Sequence, residues 1–211
     1  HIPAEPLLTS KGIAIAIADG ISSSEVSQVA SEASVRSFLE DYFCTSEAWS
    51  VQKSAQQVLT ANNSWLYSQT QNSEQRFDKD KGYICAFSAI IIKSTTAYLF
   101  HIGDARIYLL RDGQLQQLSQ DHRHWVSKQQ SYLSRAMGIS AQLEIDYKKI
   151  TLQEGDIFIT ATDGIYEFNS TDFILQTINN NRNNLQQASE IIAQQALDNF
   201  SDDNLTVQIV S

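Results

Sequence analysis

The stretch Gly12–Ser24, GIAIAIADGISSS, alternates and then stops on a carboxylate. Ile13, Ile15 and Ile17 share one parity and Ala14, Ala16 and Ala18 the other, which is the period of a strand whose side chains point to opposite faces. Apolar residues of both parities predict a strand covered on both sides. Asp19-Gly20 has the composition of a hairpin turn, yet a serine cluster and then a helical pattern follow where a returning strand would have to stand. A tight turn therefore explains this Asp-Gly poorly, and the reason for a carboxylate at the end of a buried strand has to come from the rest of the chain.

The chain has 211 residues, 42% of them hydrophobic, enough for one large core, and is read as a single domain over residues 1–211. A formal charge of −9 argues against nucleic acid or an anionic membrane as partner and favours cationic ligands, metals included. Cys44 and Cys85 are too few for a disulfide framework or a structural zinc site, so a reducing, cytoplasmic setting is expected. No apolar run reaches the length of a membrane span. The sequence opens on His1 and not on Met, and an upstream segment is expected to be missing.

Beyond Asp19-Gly20, Val26, Val29, Ala30 and Ala33 follow helical spacing, and Ser22 with Glu25 suggests a capping box and a helix start near Ser22. Val51, Ala55, Val58, Leu59, Trp65 and Leu66 trace a second amphipathic helix. From Tyr83 the period becomes two: Tyr83–Ile92, Thr96–Ile102 and Ala105–Leu110 read as strands, and Asp112-Gly113 between Leu110 and Leu115 reads as an ordinary hairpin turn. Residues 121–140 suggest a flap with a short helix around Leu133–Met137. Strands at Leu143–Leu152, Asp156–Thr162 and Leu205–Val210 and helices near Thr171–Ile178 and Leu185–Leu197 complete the pattern. Strands come in adjacent groups with helices between groups, which favours an α+β fold of antiparallel sheets covered by helices over repeated βαβ units.

Asp19 now gains company. Asp104 follows a strand in AYLFHIGDAR, Asp163 follows another in IFITATDG, and Asp203 opens the last in DDNLTVQIV. Converging carboxylates repel one another and would hold protons unless cations intervene. Oxygen donors suit Mg²⁺ or Mn²⁺, and Mg²⁺ keeps several of its waters.

The segments AIADG, GDARIYLLRDGQLQQLSQDH, LSRAMG, LQEGDIFITATDG and DDNLTVQIV, in this order and spacing, resemble the metal-dependent protein phosphatases of the PPM family, the type 2C serine/threonine phosphatases, in a bacterial-type form. The resemblance spans nearly the whole chain. It implies a four-layer α-β-β-α sandwich and hydrolysis of phosphoserine or phosphothreonine by a water activated between two metals. It implies that Asp19 bridges the metals, that the Gly20 carbonyl reaches the second, that Asp163 and Asp203 complete the first, and that Asp104 holds a weaker third. Two Mg²⁺ or Mn²⁺ ions are thus expected, with a phosphoprotein as substrate and a cognate serine/threonine kinase as counterpart.

The sequence also departs from the family. The family's first motif, an Arg followed by an acidic run on a preceding strand, has no counterpart in HIPAEPLLTSK, where Glu5 is flanked by prolines. The substrate-binding residues and the general acid are not legible. Ile21 stands where eukaryotic members often carry His, and His101 fits a partly buried strand position. Asp121-His122 matches a family Asp-His pair of structural character. The alternative to catalysis is a catalytically weak, phosphatase-like regulatory domain that binds a partner; a small-molecule phosphohydrolase with the same metals is more distant.

Overall fold

The computed structural model describes residues 1–127 and 130–211. In chain order the first elements are α1 (Leu7–Lys11), β1 (Ile13–Gly20), α2 (Ser27–Cys44), α3 (Val51–Gln71), β2 (Cys85–Lys93), β3 (Thr96–Ile102), β4 (Arg106–Arg111) and β5 (Gln114–Gln117). There follow β6 (Arg123–Ser127), β7 (Gln130–Leu133), β8 (Asp146–Thr151), β9 (Ile157–Ala161), α4 (Asp163–Tyr166), α5 (Thr171–Asn180), α6 (Leu185–Asp198) and β10 (Val207–Val210). Lys128 and Gln129, part of the flap expected from sequence, lie outside the described residues. The short helix expected at Leu133–Met137 does not form: Leu133 ends β7, and Met137 makes an isolated antiparallel bridge to Cys85. Among the described residues no helix is long and apolar enough to cross a membrane.

The chain divides into two compact units, residues 1–103 with 122–152 and residues 104–121 with 153–211. The first carries an antiparallel sheet in the order β1-β2-β3-β8, with α2 and α3 supplying its helical cover. Its core joins Ala14 and Ala16 of β1 to Phe38 and Tyr42 of α2, Leu59 and Leu66 of α3, and Phe87, Ile91 and Phe100 of the sheet. Each large apolar side chain buried this way contributes about 1.5–3 kcal/mol. The buried stripe of α2 runs through Ser27, Ala30, Ser34, Phe38 and Tyr42, and Val29, expected in the stripe, is half exposed. Trp65 is likewise on the rim, packed edge-on against Tyr83.

The second unit carries the sheet β10-β9-β4-β5, whose core of Leu110, Ile157, Ile159 and Ala161 is covered by Ile165, Ile174, Ile178 and Ile192 from α4 to α6. Here Asp112-Gly113 is the hairpin turn expected: Arg111 pairs with Gln114 across it, and both central residues have positive φ, 51° and 75°. That is the type I′ geometry whose twist matches the flanking strands.

Candidate metal centre

Asp19-Gly20 behaves differently from Asp112-Gly113. It lies inside β1, Asp19 opposite Ala86 and Gly20 opposite Cys85. Asp19 is half-buried. A Cβ on Gly20 would sit 2.6 Å from the Ser27 carbonyl oxygen, so the absence of a side chain lets the start of α2 lie against the strand end. The expected capping box is not formed. α2 begins at Ser27, and Val26 at its N-cap makes no side-chain cap. The serine cluster turns elsewhere: the Ser23 hydroxyl donates to the Asp80 carbonyl at 2.6 Å, and that of Ser24 lies 2.8 and 2.9 Å from the Lys81 and Gly82 carbonyls. Cys85, opposite Gly20, exchanges backbone bonds with Met137 of the LSRAMG segment. Burial pushes its thiol up to about 12, so it stays protonated and is no nucleophile.

In the second unit the register brings the other three aspartates to one end of one sheet. Ala161 of β9 is flanked by Arg106 of β4 and Val207 of β10. Asp104 therefore precedes, Asp163 follows and Asp203 precedes the same rung. The Thr162 hydroxyl lies 3.0 Å from the Asn204 carbonyl, and the Thr162 N–H donates to the Thr206 carbonyl at 3.1 Å, which ties the Asp163 turn to the Asp203 loop. Asp163 accepts from the Gly164 N–H at 2.8 Å and Asp203 from the Asn204 N–H at 2.7 Å. Asp104 is buried, Asp163 and Asp203 half-buried, and the neighbouring Asp202 exposed.

Three residues that sequence reasoning left without a role support this end of the sheet. The Tyr166 hydroxyl donates to the Asp104 carbonyl at 3.1 Å. The Arg106 guanidinium lies 3.6 Å from the Tyr166 ring centroid and grips Asp121 at 2.7–3.1 Å through Nε and Nη2. The Tyr108 hydroxyl accepts from Arg106 at 3.2 Å. The signal available was the Arg in GDAR, whose planar fork suits a carboxylate and an aromatic face together.

The Asp-His pair is structural, as expected. In the first unit the Gly103 N–H donates to His122 Nδ1 at 3.0 Å, and His122 Nε2 lies 3.0 Å from Asp146, which also pairs with Arg135 at 2.8 Å. An accepting Nδ1 leaves the proton on Nε2, facing the carboxylate. His101 is buried in β3 against Ser88 at 2.8 Å. Glu5 is engaged at α1, accepting from the Thr9 hydroxyl at 3.0 Å.

Carboxylates and backbone carbonyls are oxygen donors, which suit hard divalent cations and not the nitrogen and sulfur cage of structural zinc. Among the described residues no three His, Cys, Asp or Glu side chains are gathered into a metal-holding cluster. Mg²⁺ keeps several of its waters, so a pair of carboxylates such as Asp163 and Asp203, tied together through the Thr162 bonds, suits it. The donor chemistry fits that ion class.

A family model described as Protein phosphatase 2C matches residues 8–201. The serine/threonine phosphatase Stp of Listeria welshimeri is 25% identical over 221 residues, covering 93% of this chain and 83% of its own. A putative protein phosphatase 2C-type of Streptococcus pyogenes is 24% identical, with 95% of this chain and 86% of its own covered. Among solved structures, the Mycobacterium tuberculosis serine/threonine phosphatase PstP/Ppp superposes with a TM-score of 0.80 at 23% identity, over 93% of this chain and 86% of that one. The catalytic domain of PstP in complex with two manganese ions gives 0.76 at 22%, over 94% and 88%. At these identities the structural likeness speaks for the fold.

Proposed function

The chain belongs to the protein phosphatase 2C family, and from that premise we propose that it hydrolyses phosphoserine and phosphothreonine in proteins with Mg²⁺ or Mn²⁺ as cofactor. The observation that carries the assignment is the rung at Ala161, which sets Asp104, Asp163 and Asp203 at one end of one sheet while β1 ends on Asp19-Gly20. In this reading Asp19, the Gly20 carbonyl, Asp163 and Asp203 would hold two ions, and Asp104 would hold a weaker third.

Bound divalent ions supply a water acidified enough to attack phosphorus and positive charge against the phosphoryl oxygens. The chain's own part is placement. The strand end fixes Asp19, the Thr162 bonds fix Asp163 against the Asp203 loop, and Tyr166 with Arg106 fixes the backbone at Asp104. We take residues 1–211 as one phosphatase domain. A serine/threonine kinase is the implied counterpart, and the free Cys44 and Cys85 support a reducing, cytoplasmic setting.

Asp163→Asn removes a charge without opening a core cavity, whereas Asp112→Asn changes a hairpin tip. The first should lower phosphopeptide hydrolysis in saturating Mn²⁺ by about 100-fold or more, since even groups behind a metal ligand matter by about 10–100-fold. The second should leave turnover unchanged, with circular dichroism reporting intact folding in both. Equal turnover of the two variants would sink the metal assignment.

A further inference from the structure

The first unit contains a cavity of about 270 Å³ at the β2–β3 hairpin, well away from Asp19. Lys93 and Thr96 close that hairpin, Lys149 of β8 faces Tyr98 of β3 across the sheet, and Tyr147 lies two residues back along the same face. Val51 and Gln52, the first residues of α3, complete the wall. Along β2 the cavity lies seven residues from Ala86, the partner of Asp19, or about 23 Å at strand rise.

The lining is cationic in a chain of net charge −9. Among the described residues neither Lys93 nor Lys149 has a carboxylate within ion-pair distance. A third lysine stands behind the wall. Lys11 is buried, and its ammonium donates to the Thr45 hydroxyl at 2.7 Å, the Ser46 carbonyl at 2.9 Å and the Ser54 hydroxyl at 3.4 Å, with no carboxylate in contact among the described residues. Burial lowers its pKa, and the charge of Lys93 lowers it further while that of Glu47 acts in the opposite sense. An anion in the cavity would relieve the repulsion between the two lysines. Ser50 caps α3 by accepting from Lys53, which leaves the Val51 and Gln52 amides at the positive end of a 21-residue helix without intrahelical acceptors. The Tyr147 hydroxyl is shut off from solvent and lies beside the Lys149 ammonium, which keeps both groups at the cavity wall.

We propose that this cavity is a second phosphoryl-anion site, in which Lys93, Lys149 and the first amides of α3 hold a phosphate dianion or a phosphoryl group remote from the metal centre. The volume is below the range of drug-sized ligand sites and admits a small tetrahedral ion with water. Lysine binds phosphate as a point charge, and helix N-termini add aligned N–H donors. The same chemistry comes from free inorganic phosphate, the product of the proposed reaction, or from a phosphoserine on a protein.

The site is tested on the full chain stripped of metal by EDTA, so that the outcome is independent of the metal assignment. Amide resonances are followed by two-dimensional NMR during titration with inorganic phosphate, with sodium chloride at matched ionic strength as control. Saturable shifts of Val51, Gln52 and Thr96 with a Kd of about 1–10 mM are expected. Lys149→Gln should weaken binding, and Lys93→Gln/Lys149→Gln should weaken it about tenfold or more. Aryl phosphate hydrolysis in Mn²⁺ should stay within about twofold for both variants. A phosphoserine peptide that saturates the same amides more tightly than phosphate identifies the protein-borne group as the occupant; phosphate alone saturating them identifies the free ion. Shifts reproduced by chloride, or unchanged in the lysine variants, would overturn the proposal.

Discussion

Gly164→Ala sets helix propensity against packing at the candidate centre. Gly164 is the second residue of α4, with φ outside the left-handed region, so nothing in its backbone requires glycine. Propensity alone makes alanine better there by about 1 kcal/mol. The structure gives the opposite sign. A Cβ on Gly164 would lie 2.6 Å from the Asn204 carbonyl oxygen and 3.1 Å from Leu205 Cδ2. The first contact is about 0.8 Å inside ordinary van der Waals distance. Leu205 can rotate away, whereas Asn204 is held by the Thr162 hydroxyl, which also meets the Thr206 N–H at 3.1 Å. Overpacking costs about 1–3 kcal/mol, and a backbone obstacle places this case in the upper half of that range. Subtracting the propensity gain leaves about 1–2 kcal/mol of destabilisation, a fall in Tm of roughly 2–8 °C for a chain of this size. Relief of the clash moves Asn204 and with it Asp203, so Mn²⁺ affinity should drop about tenfold, the equivalent of about 1.4 kcal/mol of misplacement. Thermal melts by circular dichroism and calorimetric Mn²⁺ titration read the two effects separately. A higher Tm with unchanged Mn²⁺ affinity would refute the coupling of α4 to the Asp203 loop.

Arg106→Lys should lower stability by about 1–2 kcal/mol, because an ammonium cannot keep both the forked bond to Asp121 and the flat stack on Tyr166. Urea titration measures that loss, and a raised Mn²⁺ requirement is the expected accompaniment, since Tyr166 holds the Asp104 carbonyl. Asp156 tests the acid limb. Its bonds to Arg111 at 2.6 and 2.7 Å hold its carboxyl below the ordinary value, burial acting in the opposite sense. A carboxyl lowered on folding contributes stability that is complete above its ordinary value of about 4 and is lost as pH falls through the lowered folded value. Asp156→Asn should therefore cost stability at pH 7 and flatten the decline below about pH 4, which urea titrations across that range would show. An unchanged acid limb would remove Arg111–Asp156 from the account.

The short apolar, β-branched and aromatic runs between turn residues located the main sheet strands closely: Thr96–Ile102 was expected and is found, and the shifts elsewhere fall at the ends, where apolar character outlasts pairing. Helix faces were less legible where small polar residues do the packing. Ser34 is fully buried in the stripe of α2 and its Oγ meets Cys85 Sγ at 3.3 Å, while Val29, more hydrophobic by any scale, faces out. Asn63 of α3 is buried because its amide bonds the Gly138 N–H and the Ser140 carbonyl at 2.8 and 2.9 Å, a contact between residues some 75 positions apart that no local pattern encodes. The serine cluster misled for a related reason: local spacing offered Ser22 and Glu25 to each other, but carbonyls of the 80–82 segment, 57 and 58 residues on, took Ser23 and Ser24. At the candidate centre the same division holds. The aspartates were legible because each stands beside a strand whose period announces it, whereas Arg106 and Tyr166 act through a stack that exists only once β4 and α4 are side by side. Two Asp-Gly pairs of equal composition thus diverge by context alone. Asp112-Gly113 turns a hairpin with positive φ at both residues, whereas Asp19-Gly20 stays in strand pairing, its glycine kept free of a side chain by the backbone of Ser27. That pairing leaves the Asp19 carboxylate at the end of a strand, where the proposed cation-binding role needs it and a hairpin turn does not.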